Sequence, residues 1–146
     1  MINITPEYVA GFFDGEGSAR VRKDHSKKSG DFIRVEISIA NTNMDILKAI
    51  QAQYGGQIRT IKTAKSGAKP VHRIYWSSLD NASSFIDIVY PYVIGKKLQL
   101  NLLREYLSHH SSNSRSPVTD EDWALVTKSL QLNFRIHSRN HLNTPN

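Results

Sequence analysis

The residues that could do chemistry are concentrated at one corner of the sequence. Glu16 stands between Gly15 and Gly17 at the end of an apolar run, Val9-Ala10-Gly11-Phe12-Phe13-Asp14-Gly15-Glu16-Gly17. The two glycines break a helix and leave Glu16 at its end, a hard oxygen ligand in an open position. The second resource is positive charge. The chain of 146 residues carries 19 Lys and Arg against 13 Asp and Glu, a formal net charge of +6. Of these, 12 basic and 4 acidic residues lie between Gly17 and Ser78, leaving 7 and 9 elsewhere. All the excess therefore falls in one continuous stretch, the footprint of a phosphate-binding surface. Hydrolysis of a phosphodiester asks for such parts: a divalent cation, an activated water, and positive charge to meet the developing negative charge.

The elements that must hold these residues follow from periodicity. Thr5-Pro6-Glu7 opens a helix, with Thr5 as N-cap, Pro6 first in the helix and Glu7 in its first turn. Gly11 and Gly15 are four residues apart with Ala10 beside them, so one stripe of this helix is almost free of side chains and another backbone could pack close. Ser18 to Lys23 then alternates small or apolar with basic residues, a strand exposing Arg20 and Arg22. Asp24 to Asp31 reads as a polar loop. Ile33, Val35, Ile37 and Ile39 alternate with Arg34, Glu36, Ser38 and Ala40, a second strand with an aliphatic inner face.

Asn43 caps a helix carrying Ile46, Leu47, Ile50 and Tyr54 at helical spacing, ended by Gly55-Gly56. Gln57 to Thr63 and Val71 to Ser77 read as strands joined by a turn at 64–70. Ile74 and Trp76 should face the core while Arg73, Tyr75 and Ser77 face out. Arg59, Thr60 and Lys62 are further surface contacts. Ser78 or Asp80 opens a helix with Leu79, Ala82, Phe85, Ile86 and Val89 inward, stopped before Pro91. A longer helix covers Gly95 to His109, its apolar stripe including Leu98, Leu102 and Leu103. After a linker at 111–117, Thr119-Asp120-Glu121-Asp122 starts a final helix packing through Trp123, Val126 and Leu130, and the chain frays from Arg135.

Paired strands between helices predict an α+β fold, a four-stranded antiparallel sheet with helices on one face. The other face carries Arg20, Arg22, Arg34, Glu36, Ser38, Arg73 and Tyr75, and a twisted ribbon so lined can enter a DNA major groove. Residues 1–110 form the core, and 111–146 add a linker, a helix and a tail to the same domain. With no long apolar run, no signal-peptide pattern and no cysteine, the expectation is a soluble intracellular protein, neither secreted nor membrane-bound.

Val9 to Gly17 resembles the nine-residue motif for which the LAGLIDADG homing endonucleases are named, with Val first, Phe at the apolar pair and Glu for Asp at the eighth position. The order αββαββα is also that family's core fold, so the resemblance runs from residue 5 to residue 109 or so. It implies a site-specific double-strand DNA endonuclease that promotes mobility of an intron or related element. Glu16 is implied as the metal ligand, the Gly15 carbonyl as a second oxygen, and Mg²⁺ as the usual cation, with Mn²⁺ or Ca²⁺ as substitutes. Asp14, at the sixth position, is implied to serve the helix end and an interface instead. Asn41 falls where relatives carry a polar residue that orders active-site water; its alternative is a turn residue bonding backbone. Lys96 falls where relatives carry a lysine at a helix start, there to stabilise charge on the phosphate or act on solvent, and Lys97 is its rival. His137 and His141 have the i, i+4 spacing of metal ligands but lack a third partner, so they read as tail residues.

One motif copy supplies one carboxylate, and cutting a duplex needs two. Two chains packing motif helix on motif helix would bring both Glu16 side chains together over the minor groove, with Ala10, Gly11, Asp14 and Gly15 at the interface. Arg20, Arg22, Arg34, Glu36, Ser38, Arg59, Lys62, Arg73 and Tyr75 would then read a long, pseudo-palindromic site. The partners expected are double-stranded DNA and a second copy, with no small-molecule substrate, and the resemblance adds short 3′ overhangs. The rivals are a maturase that helps intron RNA fold and a non-catalytic DNA-binding regulator. An intact Glu16 favours the enzyme over both. A basic interaction domain without nucleic acid leaves the charge concentration unexplained.

Overall fold

The computed structural model describes residues 2–62, 67–112 and 116–142, with side chains of the last helix described as far as Asn133. Helix α1 spans Pro6–Glu16, and the Thr5 hydroxyl accepts the Tyr8 amide at 3.2 Å. Strand β1, Gly17–Ser26, starts on the next residue. It pairs with β2, Gly30–Asn41, in a register that sets Arg20 opposite Glu36 and Arg22 opposite Arg34. The polar loop expected over Asp24 to Asp31 is mostly strand. Asp24 pairs with Phe32 and His25 with Asp31, and only Lys27 to Ser29 turn, with Gly30 at φ 73° beginning the return. Solvated strand tips are rich in Lys and Ser for the same reason loops are, so composition does not separate the two.

Helix α2, Met44–Tyr54, is capped by the Asn43 side chain, whose Oδ1 accepts from the Asp45 and Ile46 amides. Gly55 and Gly56 close it with φ of 73° and 97°, and a Cβ on Gly56 would come within 2.9 Å of Ile74. Strands β3, Gln57–Ile61, and β4, Val71–Trp76, complete an antiparallel sheet in the order β1-β2-β4-β3. Thr63 and part of the expected turn at 64–70 lie outside the described residues. Helix α3, Leu79–Val89, is capped by Ser78 and buries Ala82, Phe85, Ile86 and Val89 as expected.

One sheet face and the helices make the core. Ala19, Val21, Val35, Ile37, Ile39, Ile74 and Trp76 meet Val9, Phe13, Leu47, Ile50, Phe85, Leu100 and Leu103. Trp76 stacks on Phe85 at 4.0 Å, and Phe13 meets Phe85 edge-on at 5.7 Å. Burial of these side chains is the main favourable term, roughly 1.5–3 kcal/mol for each large aliphatic or aromatic group.

The last two helices are phased differently from their apolar patterns. Helix α4, Lys97–His109, buries Gln99, Leu100, Leu103 and Tyr106, while Leu98 is 64% exposed and Leu102 only partly covered. Helix α5, Asp120–Leu142, buries Asp122, Leu125 and Ser129. Trp123 and Val126 are half-buried, and Leu130 is exposed. Two polar contacts set that face. The Asp122 carboxylate binds buried His110 Nε2 at 2.9 Å, and the Ser129 hydroxyl accepts the Val21 amide at 3.1 Å. That amide is on the outer edge of the sheet, so α5 blocks an open strand edge. The helix continues to Leu142, past the point where fraying was expected. Residues 113–115 of the linker and the side chains of His137 and His141 are outside the described residues.

Candidate active site and nucleic-acid interface

The junction between α1 and β1 is built around Asp14. Its Oδ2 accepts the Ile94 amide at 2.7 Å and its Oδ1 accepts the Lys96 amide at 3.0 Å. This fastens the loop entering α4 onto the end of α1, where a carboxylate also complements the positive end of the α4 dipole. The Lys96 ammonium then donates to the Asp14 carbonyl and lies 5.9 Å from the centre of the Phe13 ring. Burial holds the Lys96 ammonium below its ordinary pKa, against the opposing pull of the Asp14 and Glu16 charges. Lys97 points elsewhere: its ammonium donates to the Tyr90 carbonyl and sits 3.9 Å over the Tyr90 ring. Of the two lysines, Lys96 is therefore the one whose ammonium lies beside the motif.

Glu16 is exposed and makes no hydrogen bond or ion pair among the described residues. Among the described residues its oxygens are free, hard donors of the kind Mg²⁺ prefers, and the Gly15 carbonyl is the adjacent backbone oxygen that would join them. Among the described residues no group of three metal-binding side chains exists. One copy of the chain thus offers donors of a type that suits such a cation but, among the described residues, no full set of side-chain ligands. Asn41 ends β2, two residues past Ile39, which pairs with Gly17, so it lies toward the same junction. Its Oδ1 accepts the Asn43 amide at 2.8 Å, the turn-forming contact, and its amino group has no partner among the described residues.

The α1 residues expected at an interface divide. Ala10 is 0% exposed, packed inward with Val9 and Phe13, so it is not on the outer stripe. Smallness grouped it with the glycines, but its turn of the helix faces the core. Asp14 is likewise engaged within its own chain. Gly11 and Gly15 are exposed, and a Cβ on either would meet nothing within 4 Å. By contrast, a Cβ on Gly17 would lie 2.3 Å from the Phe13 ring. The outer stripe is therefore Gly11 and Gly15 flanked by Tyr8 and Phe12, whose rings stack 6.2 Å apart.

The pairing puts Arg20, Arg22, Arg34, Glu36, Ser38, Arg59, Arg73 and Tyr75 on the sheet face opposite the helices. Lys62 lies one residue beyond the β3–β4 ladder, which therefore does not bring it to that face, and Thr60 sits on the opposite side, bonded to His72. Glu36 and Ser38 are covered, Glu36 to 8% exposure. Glu36 takes Arg20 at 2.8 Å and Arg22 at 3.2 Å, and Asp24 takes Arg34 at 3.2 Å. Arg34 also lies 5.6 Å from the Phe32 ring centre, and Arg59 and Arg73 both lie within 6 Å of the Tyr75 ring. Asp24 was missed because it fell in the expected loop, and Phe32 because it lies between that loop and Ile33, where the alternation was read to begin. Extending the alternation of Arg20 and Arg22 by one step would have found Asp24.

The sequence profile of the LAGLIDADG endonucleases matches residues 9–107. The chain belongs to the LAGLIDADG homing endonuclease family. Its single motif and size fit the single-motif type. Solved structures of the family share the fold. The homing endonuclease I-SmaMI, bound to cleaved DNA, is 21% identical with a TM-score of 0.65, over 85% of this chain and 42% of that one. I-GzeII in complex with its DNA target is 24% identical with a TM-score of 0.64, over 86% and 42%. I-CvuI, in complex with the I-CreI target, is 16% identical with a TM-score of 0.58, over 86% and 92%. No curated protein sequence matches significantly. Among the described residues, no helix is long and apolar enough to cross a membrane.

Proposed function

We propose that two copies of this LAGLIDADG chain form a site-specific DNA endonuclease, each copy cutting one strand of a long pseudo-palindromic site in the presence of a divalent cation. The observation that carries this reading is the exposed, unpartnered Glu16 at the end of a helix whose neighbouring loop is locked in place by Asp14. A bound cation, held by Glu16 and the Gly15 carbonyl, would supply charge for the phosphate and lower the pKa of a water. Lys96, with its ammonium partly desolvated, holds a proton near the same phosphate and offsets developing charge. Asn41, its oxygen already engaged, orients solvent as a hydrogen-bond donor through its free amino group.

Gly11 and Gly15 support pairing, since nothing within one chain requires either to be glycine. A two-fold crossing at these residues would set two Glu16 side chains over adjoining phosphates, completing the donor set that one copy lacks. Short 3′ overhangs and target spacing then follow from that separation, as in relatives. The basic sheet faces would occupy the major groove on either side.

The test is cleavage of a plasmid carrying the uninterrupted insertion site, with Mg²⁺ and then with EDTA. Linear product that vanishes with EDTA supports the proposal. Sequence-specific binding without cutting would replace it with the DNA-binding regulator, and binding of intron RNA alone with the maturase.

A further inference from the structure

We infer that Glu36 is a positioning residue for sequence reading, holding Arg20 and Arg22 from beneath the interface, and that Asp24 does the same for Arg34. The inference rests on the DNA-binding part of the reading above and deepens it.

The observation is how Glu36 is shared. Its Oε1 accepts from both Nε and Nη2 of Arg20, at 3.2 and 2.8 Å, while its Oε2 faces Nη2 of Arg22 at 3.2 Å. The carboxylate side chain is 11% exposed, the two arginine side chains 43% and 35%. Glu36 therefore lies below its partners, with its oxygens turned to them and not to a ligand. Arg20, gripped at two nitrogens, has its guanidinium plane set while Nη1 stays free to donate.

A carboxylate in a phosphate-binding face opposes affinity, because it cancels charge that would release counterions. Its compensating gain is order. Bidentate reading of guanine requires a fixed guanidinium plane, and an arginine free to rotate gives up rotamer entropy on binding. With that freedom already restricted in the free protein, correct and incorrect bases are discriminated by geometry. The β3–β4 side has no such carboxylate. Arg59 and Arg73 stand directly opposite each other and share the Tyr75 ring, an arrangement suited to phosphate and shape. Base discrimination is thereby concentrated on the β1–β2 half of each saddle.

The test compares the full chain with its Glu36→Gln variant. Both are selected against a randomised duplex library, and both are titrated with random-sequence duplex across a salt series. The variant is expected to bind random duplex about 3- to 10-fold more tightly with a steeper salt dependence. It should lose base preference at one or two positions per half-site and keep the others, and Arg20→Gln should lose the same positions. Uniform loss over the site, or no loss, would overturn the inference. So would a changed preference accompanied by weaker random-duplex binding, the mark of a direct base contact. If thermal melting shows that Glu36→Gln does not fold, Asp24→Asn, at a more solvated position, makes the same comparison for Arg34. A wild-type chain that selects no sequence at all would instead defeat the underlying endonuclease reading.

Discussion

Glu16 and Glu36 are both acidic residues in a basic protein, and their surroundings could hardly differ more. On the sheet face Glu36 is covered and divided between two arginines, and Asp24 likewise serves Arg22 and Arg34. At the α1–β1 corner Glu16 is exposed and unpaired, although Lys96 is close enough for their charges to interact. Lys96 is engaged by the Asp14 carbonyl instead. Paired carboxylates arrange the groups around them. Glu16, unpaired among the described residues, is available to something outside the chain. The same contrast holds among the glycines: Gly17 has an internal reason, the Phe13 ring against it, while Gly11 and Gly15 have none.

The largest effect expected from this contrast is at Glu16. Glu16→Gln should reduce cleavage by about 10³-fold or more while leaving DNA affinity within a few-fold, as measured by plasmid cleavage and fluorescence anisotropy. Equal cleavage by the variant would remove Glu16 from the chemistry. At Asp14 the loss should instead fall on the fold. Asp14→Ala leaves the Ile94 and Lys96 amides unmet and should cost about 3 kcal/mol in urea unfolding, since hydrogen bonds to charged groups are worth ~1.5–3 kcal/mol each. Unchanged stability would mean that the α4 loop is held by other contacts.

Asp122 extends the paired class to the C-terminal helix and predicts a pH dependence. Burial pushes its carboxyl up, but the Thr119 amide, His110 and the Thr119 hydroxyl together outweigh that and hold it below the ordinary 3.8. A carboxyl with a lowered folded pKa contributes stability that is present above its unfolded value and is lost as pH falls through the lower folded value. Urea midpoints should therefore drop as pH falls below the unfolded value of 3.8, and Asp122→Asn should flatten that slope while costing about 2 kcal/mol at pH 7. A slope unchanged in the variant would assign the acid sensitivity to other carboxylates. The smallest effect has the opposite sign. Gly11→Ala, in a helix and in open space, should stabilise the separate chain by ~0.5–1 kcal/mol while weakening self-association, read by sedimentation. Unaltered association would place the pairing surface elsewhere.

The sequence was most legible where one periodicity served one apolar face. Ile33 to Ile39 alternate cleanly, and Arg20, Arg22 and Arg34 fall on the outer face as expected. Ser78, Asn43 and Thr5 cap helices because each side chain finds orphan amides beside it. Legibility failed where polar groups were buried. Asp122 and Ser129 define the inner face of α5 because His110 and the Val21 amide await them, and an apolar stripe carries no trace of such partners. Leu98 was misplaced for a related reason, since the docking of α4 starts from the Asp14 caps. The α1–β1 corner was legible in type but not in geometry: Ala10 belongs to the core, and which of Lys96 and Lys97 lies beside the motif depends on bonds formed across the fold.

The central claim is that two chains each contribute one Glu16 to one strand. Wild-type protein mixed with increasing fractions of Glu16→Gln, at constant total concentration on a supercoiled target plasmid, tests it directly. Mixed pairs should nick, so open circles should rise to a maximum near equal mixing while linear product falls as the square of the wild-type fraction. Linear product falling in simple proportion, with no open-circle peak, would show that each chain cuts on its own and would contradict the account.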